Sequence, residues 1–395
     1  MTDDKPQSKP VPGSEVPPPM AGAAEPALAG AEAATLSPGR RRSMLLWLVP
    51  LLLLLGVGGG IWWFVLRDTP KKRAERVLAE ARAAYDLFEY DRAEKLLLQA
   101  REMIPTGAKG SGMNVGVHHN LGLLYRRLER WEEARDAFMK AATFCGPDAN
   151  EVRAEELFQV ALIEIYLGHT GPAGDALRAA LEAHPTRPVL HLSLLDLQLG
   201  YLKRPTAADS CLQNFLRLCG RAPENLRDAA QIYFRRKFMP DALILAKAAA
   251  AAQDTMISAH VLVAKAYWRS GRSQEGLEYL EGPLTRYPQS VVLWSTKASL
   301  LVGAGRFDEA VQTADHALTL APDDYETHRA RMMALYNGNR HQEAIDEAMV
   351  CRKMATNPNE IHFLESMLAR IHARQQGKPE PMTPTSEGGS RSRRP

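Results

Sequence analysis

One spacing constrains this chain more than any other. The hexads Gly271-Arg272-Ser273-Gln274-Glu275-Gly276, Gly305-Arg306-Phe307-Asp308-Glu309-Ala310 and Asn339-Arg340-His341-Gln342-Glu343-Ala344 each begin 34 residues after the one before. Each reads as the corner of a helix–turn–helix unit. Gly or Asn tolerates the left-handed residue that ends one helix, and the final small residue sits where the next helix crosses the first at close range. The same corner recurs, without the glycine, at Glu129-Arg130-Trp131-Glu132-Glu133-Ala134. Ala and Leu dominate wherever the chain is not rich in proline, and alternating β-branched stretches are nearly absent, so these units form an all-α protein. A hydrophobic content of 45% with 24% charged residues excludes a wholly disordered or polytopic membrane chain.

The residues around the corners extend the pattern. Leu121, Gly122, Tyr125, Ala134, Phe138 and Ala141 fall at the spacing of L-G-x2-Y, then A-x3-F, and His118 stands where that pattern has a leading Trp. A second unit supplies the Trp as Trp294, followed by Ala298, Ala310, Ala317 and Pro322. On these residues the chain resembles the tetratricopeptide repeat (TPR) family, whose unit is a 34-residue helical hairpin. The resemblance implies a right-handed α-solenoid of about eight hairpins over residues 67–376, and one transmembrane helix is expected to precede it. Four repeats frame without a gap at 223–256, 257–290, 291–324 and 325–358. Earlier copies lie near 74–107 (with Pro105), 115–148 and 154–187, and a degenerate one at 189–222 has Asp196 in place of the small residue. A lone hairpin cannot hide both apolar faces, so stacked repeats share one core and need caps. Residues 359–376, with Ile361, Leu364, Leu368 and Ile371 on one face, are expected to form the capping helix.

The remaining chain has a different character. Eight of the 26 prolines lie in residues 1–43 and four in 377–395, two stretches that bury too little to fold. Between Met44 and Leu66 stand 23 residues without a charge, flanked inside by Trp47 and by Trp62-Trp63. About 20 apolar residues cross a bilayer core, so 44–66 is expected to be a single membrane-spanning anchor. It exceeds the apolar length of a signal peptide, and no small-x-small cleavage site follows it. Counting flanking charges, five basic residues after the span against three before it, would place the repeats in the cytoplasm. A long folded domain translocates largely regardless of charge, however, so the expectation is a single-pass inner-membrane protein with its repeats on the extracytoplasmic side, the cytoplasm being the alternative. Four cysteines, Cys145, Cys211, Cys219 and Cys351, count against an oxidising compartment and read as core residues or free thiols. Gly56 and Gly60 form a small-xxx-small pair that would permit dimerisation of anchors.

No nucleophile-elbow, phosphate-loop, dinucleotide or zinc-protease motif appears. His118 and His119 are adjacent on a helix, so their rings diverge and cannot share a metal as an i, i+4 pair can. No catalytic residue, cofactor or metal is therefore expected. Residues 67–376 hold 40 basic and 39 acidic residues, and a near-neutral domain lacks the counterion-release drive of nucleic-acid binding. The resemblance points instead to a groove lined by the first helix of each repeat. Its lining positions map to His119, Asn120, Arg126 and Arg127 in the second repeat and to Arg227, Gln231, Phe234 and Arg235 in the fifth. The sixth contributes Lys265, Trp268 and Arg269, and the eighth Arg329, Tyr336 and Asn337. Guanidinium groups interleaved with rings suit an acidic or C-terminal peptide segment. The full Lys and Asn set of the family's clamp for chaperone tails is missing. The expected function is a membrane-tethered, protein-binding scaffold of a bacterial envelope assembly or secretion complex. The alternatives are a regulatory subunit of an enzyme complex and a passive spacer.

Overall fold

The structure is a computed structural model that describes residues 69–104 and 112–379. The anchor expected at 44–66, the tail 1–43, Pro105 and residues 380–395 lie outside the described residues. Among the described residues every regular element is an α-helix, and no helix is long and apolar enough to cross a membrane.

Along the described residues seventeen helices follow one another, most of them packed on the next. Eight hairpins pair α1 (Pro70–Asp86) with α2 (Tyr90–Met103), α3 (Gly112–Arg127) with α4 (Trp131–Phe144), α5 (Asn150–Tyr166) with α6 (Thr170–Ala183), α7 (Pro188–Gly200) with α8 (Pro205–Leu218), α9 (Pro223–Arg235) with α10 (Met239–Ala252), α11 (Ile257–Arg269) with α12 (Ser273–Arg286), α13 (Val291–Gly303) with α14 (Phe307–Leu320), and α15 (Tyr325–Asn337) with α16 (His341–Met354). The last helix, α17 (Pro358–Gln375), packs on α16. From α9 onward each first helix has 13 residues and starts 34 after the last, whereas α1, α3 and α5 have 17, 16 and 17.

The corners show why the sequence folds this way. A residue in the left-handed region ends the first helix of every hairpin: Phe88, Glu129, Gly168, Lys203, Lys237, Gly271, Gly305 and Asn339. In seven of the eight, the next residue's N–H reaches back to the carbonyl five positions earlier, as Arg272 to Tyr267 and Arg306 to Leu301, both 2.9 Å, which closes the helix end. The turn after α7 is one residue longer, and Arg204 bonds Gln198 instead. Five corners carry a side chain at positive φ, a conformation that costs about 1–2 kcal/mol for an L-residue. Hydrogen bonding and packing on both sides therefore hold them there.

Four residues into each second helix stands the small residue at the helix crossing: Ala93, Ala134, Ala173, Ala208, Ala242, Gly276, Ala310 and Ala344. The seven alanines are fully buried, and a Cβ on Gly276 would collide with Leu300. In the matching position of the first helix, Gly122 lies against the ring of Phe138. The apolar core runs on from hairpin to hairpin, with Leu195 in one cluster and Leu197 in the next, then Leu262 and Val261 likewise. In the degenerate repeat, Asp196 accepts two hydrogen bonds from the Arg236 guanidinium, both 2.8 Å, which tie α7 to the end of α9. A small residue's close approach is there replaced by an ion pair.

At the C-terminal end α17 buries Leu364, Met367 and Ile371. The expected face is corrected by one position: Ile361 is exposed and Met367 takes its place, because the helix starts at Pro358 and its first turn precedes the contact with α16.

Candidate peptide-binding groove

From α7 onward each first helix also touches the first helix of the next hairpin, so α9, α11, α13 and α15 lie side by side. Two clefts open along this row. One, of about 430 Å³, is lined by Gln231, Phe234, Ile257, Val261, Lys265 and Val292. The second, about 220 Å³, is bounded by Lys265, Trp268, Val292, Thr296, Arg329 and Met333, among others. Lys265 and Val292 belong to both, which makes one groove across four helices.

Trp268 is the groove's largest exposed apolar side chain, 42% accessible. Its indole is set by Gly303 at the end of α13, where an added Cβ would collide with Nε1 and Cδ1 of the ring. Close passage of the glycine backbone thus places the aromatic plane, and Val292, also exposed, continues the apolar floor.

The structure separates the expected cations by what they already hold. Arg227 pairs with Asp228 at 2.7 Å and Arg329 with Glu326 at 2.5 Å, both on their own helices. Arg235 lies 3.7 Å from Asp196. Arg126 donates to Gln159 at 2.5 Å and Arg127 to the Tyr90 hydroxyl at 3.1 Å. Asn120 and Asn337 donate to carbonyls one turn back, those of Gly116 and Met333. Two cations differ. Lys265 makes no ion pair among the described residues, and Arg269 stacks its guanidinium 4.5 Å above the Phe234 ring without a carboxylate.

Tyr336 is corrected from a lining residue to a core residue. It is 1% exposed because α17 covers it, with the Arg374 guanidinium 4.3 Å above its ring. Phe234 is buried as well, though its ring edge still borders the first cleft. The groove therefore brings together Gln231, Phe234, Lys265, Trp268 and Arg329, with Arg269 stacked on the Phe234 ring. Asn120, Arg126 and Arg127 lie apart from it on α3. Val292 and Gly303 were not expected from the sequence, where the only signal for them is a glycine ending a first helix one repeat beyond a Trp.

Among the described residues no group of three or more His, Cys, Asp or Glu side chains is placed to hold a metal. Residues 78–150 and 295–349 match the family model of the tetratricopeptide repeat. Those two stretches are tetratricopeptide repeats. Solved structures align with the chain at low identity. A tetratricopeptide repeat protein from Parabacteroides merdae is 14% identical over 65% of this chain and 99% of its own, with a TM-score of 0.44. Pseudomonas aeruginosa PilF is 17% identical over 55% and 99%, TM-score 0.35. Yeast Tom70 is 12% identical over 78% and 90%, TM-score 0.47. No curated protein matches the chain.

Proposed function

We propose that this chain is a membrane-tethered scaffold whose groove over α9, α11, α13 and α15 captures an extended segment of a partner protein. Tetratricopeptide repeats bind protein or peptide partners, and one observation supports this groove as the place. Trp268, set against Gly303, stands near Lys265 and Arg269, which hold no carboxylate among the described residues. An exposed, rigid indole costs little entropy to bury and is a common energetic anchor of interfaces. The segment that fits carries an apolar or aromatic side chain for the Trp268 cleft and a carboxylate for Lys265, whether from Asp, Glu or a C-terminus. Within this proposal residues 44–66 are the tether, the repeats lie on the extracytoplasmic side, and Gly56 and Gly60 offer an anchor-pairing surface. The setting is an envelope assembly or secretion complex.

Photocrosslinking in cells tests the groove. A benzoylphenylalanine at Val292, inside it, should yield a discrete adduct with a partner, and the same probe at Ile244, which is 67% exposed on α10, should not. The paired change K265E/R269E should abolish the adduct, and W268A should reduce capture about tenfold or more. G303A should act like W268A by displacing the indole. Equal adducts at both probe positions, or an adduct indifferent to all three variants, would overturn the reading.

A further inference from the structure

Nearer the N-terminal end of the array, the cleft between α3 and α5 contains a carboxylate whose hydrogen-bonding capacity is half used. Glu156 on α5 is 2% exposed. His119, one hairpin earlier, donates from Nδ1 to its Oε1 at 2.8 Å, and the equally buried Oε2 has no hydrogen-bond partner. Buried polar atoms are almost always satisfied, and an ionised carboxylate can accept at both oxygens, so such an atom calls for a donor.

Glu156 borders a cavity of about 530 Å³ together with His119, Glu155, Arg187, Val115 and Val152. The cations nearby are already committed. Arg187 donates to Glu155 Oε2 at 2.5 Å, and Glu155 Oε1 accepts from Gln159 at 2.7 Å, so that pair is closed. Arg153 donates to the carbonyls of Cys145 and Gly146 at 3.1 and 3.4 Å. The Cys145 thiol beside the cavity is pushed up in pKa by burial and then by the charge of Glu156. Exposed Glu151 adds a further negative charge to the lining. The cavity is therefore anionic and apolar along its sides, and it is bordered by Glu156, whose buried Oε2 has no partner.

We propose that this cavity is a second subsite, which takes the cationic side chain of a bound polypeptide, its guanidinium or ammonium donating to Glu156 Oε2 while its methylene stem lies on Val115 and Val152. Long basic side chains bury their stems against apolar surface in this way, and a charge-assisted hydrogen bond to a buried carboxylate supplies selectivity. The site lies on α3 and α5, has the opposite sign from Lys265 and Arg269, and depends on no property of the Trp268 groove.

The test uses the full-length protein in detergent micelles with 13C-labelled valine methyl groups. Three probes are titrated: the blocked tripeptide acetyl-Gly-Arg-Gly-amide, its Gln counterpart, and free agmatine. The arginine peptide should shift the Val115 and Val152 methyls saturably, and the Gln peptide should bind about tenfold or more weakly. The isosteric change E156Q should weaken the arginine peptide by about the same factor. A second variant does not depend on E156Q folding. V152R leaves Glu156 intact and brings a guanidinium to the cavity from a partly exposed position, so it should block the peptide-induced shift at Val115. Equal binding of the two peptides, or undiminished binding by V152R, would overturn the proposal. A response to agmatine without one to the arginine peptide would overturn the polypeptide as its source. K265E/R269E should leave every titration unchanged, so failure here is distinguishable from failure of the Trp268 groove.

Discussion

Two glycines on one helix provide a measurement of how tightly these hairpins close. Gly116 and Gly122 both lie within α3, and replacing either by Ala should gain the same helix-propensity increment, about 1 kcal/mol. Their surroundings differ. A Cβ on Gly116 would meet Leu78 and Arg82 at 3.8 and 3.9 Å, ordinary contact distances. A Cβ on Gly122 would come within 2.7 Å of two carbons of the Phe138 ring, and that ring is fully buried at the α3–α4 crossing and cannot swing away into solvent. Overpacking of a closed core costs about 1–3 kcal/mol. G116A should therefore stabilise the hairpin by up to about 1 kcal/mol, and G122A should be neutral to about 2 kcal/mol destabilising. The difference between the two variants isolates the steric cost, because propensity cancels. Repeat arrays can unfold in parts, so urea melts followed by circular dichroism should be joined to hydrogen exchange on the amides of α3 and α4. If G122A proved as stable as G116A by both measures, the claim that Phe138 requires a glycine opposite it would be refuted.

Two further outcomes follow from buried titratable groups. His118 stacks on Phe144 with ring centroids 5.3 Å apart, and its pKa is pushed down from 6.5 to about 4 by burial, with the charges of Lys140 and Arg101 adding to the effect. The unfolded chain then binds the proton first, so this group's contribution holds above pH 6.5, falls as pH drops towards about 4, and levels off below that. Urea midpoints measured across this window should decline less steeply for H118Q than for the parent; identical slopes would contradict the assignment. Cys351 is fully buried, and burial, followed by the charge of Glu347, pushes its thiol up to about 12. It should stay unreactive to maleimides until the protein unfolds, and native-state labelling would refute that burial. Sidedness is better read from I244C in a background lacking Cys211 and Cys219, which an impermeant maleimide should label in intact cells if the repeats are extracytoplasmic. Protection until lysis would refute that placement.

The corners were legible because their chemistry is local. Gly271, Gly305 and Asn339 advertise a left-handed residue, and Gly276, Ala310 and Ala344 a close crossing, in sequence as in structure. Local too is a feature whose meaning emerged only with coordinates. The Arg and Glu of each hexad pair across one turn, Arg306 to Glu309 and Arg340 to Glu343 as well as Arg272 to Glu275, at the start of each second helix. Those arginines serve the fold. The groove was less legible, since a guanidinium's availability depends on neighbours that no periodicity specifies. Arg329 is taken by Glu326 and Arg235 lies near Asp196, while Lys265, with nothing in its sequence context to distinguish it, holds no carboxylate among the described residues. Burial of Tyr336 follows from where α17 docks, which is a tertiary fact. Glu156 looked like any helix-surface acid until α3 closed over it.

The uneven lengths of the first helices carry a lesson about how such arrays diversify. Relative to the 13-residue standard of the later hairpins, α3 and α5 are longer by three and four residues. An increment near 3.6 residues returns the helix to almost the same angular phase, so the apolar stripe that faces the neighbouring hairpin stays in register. Gly112, Val115, Glu151 and Val152, all in the opening turn or so of these two helices, line the Glu156 cavity. A solenoid built this way can acquire new walls by lengthening a unit at one end, while every interior contact inherited from the parent repeat is kept. Its recognition surface and its folding scaffold are thereby free to change at different rates.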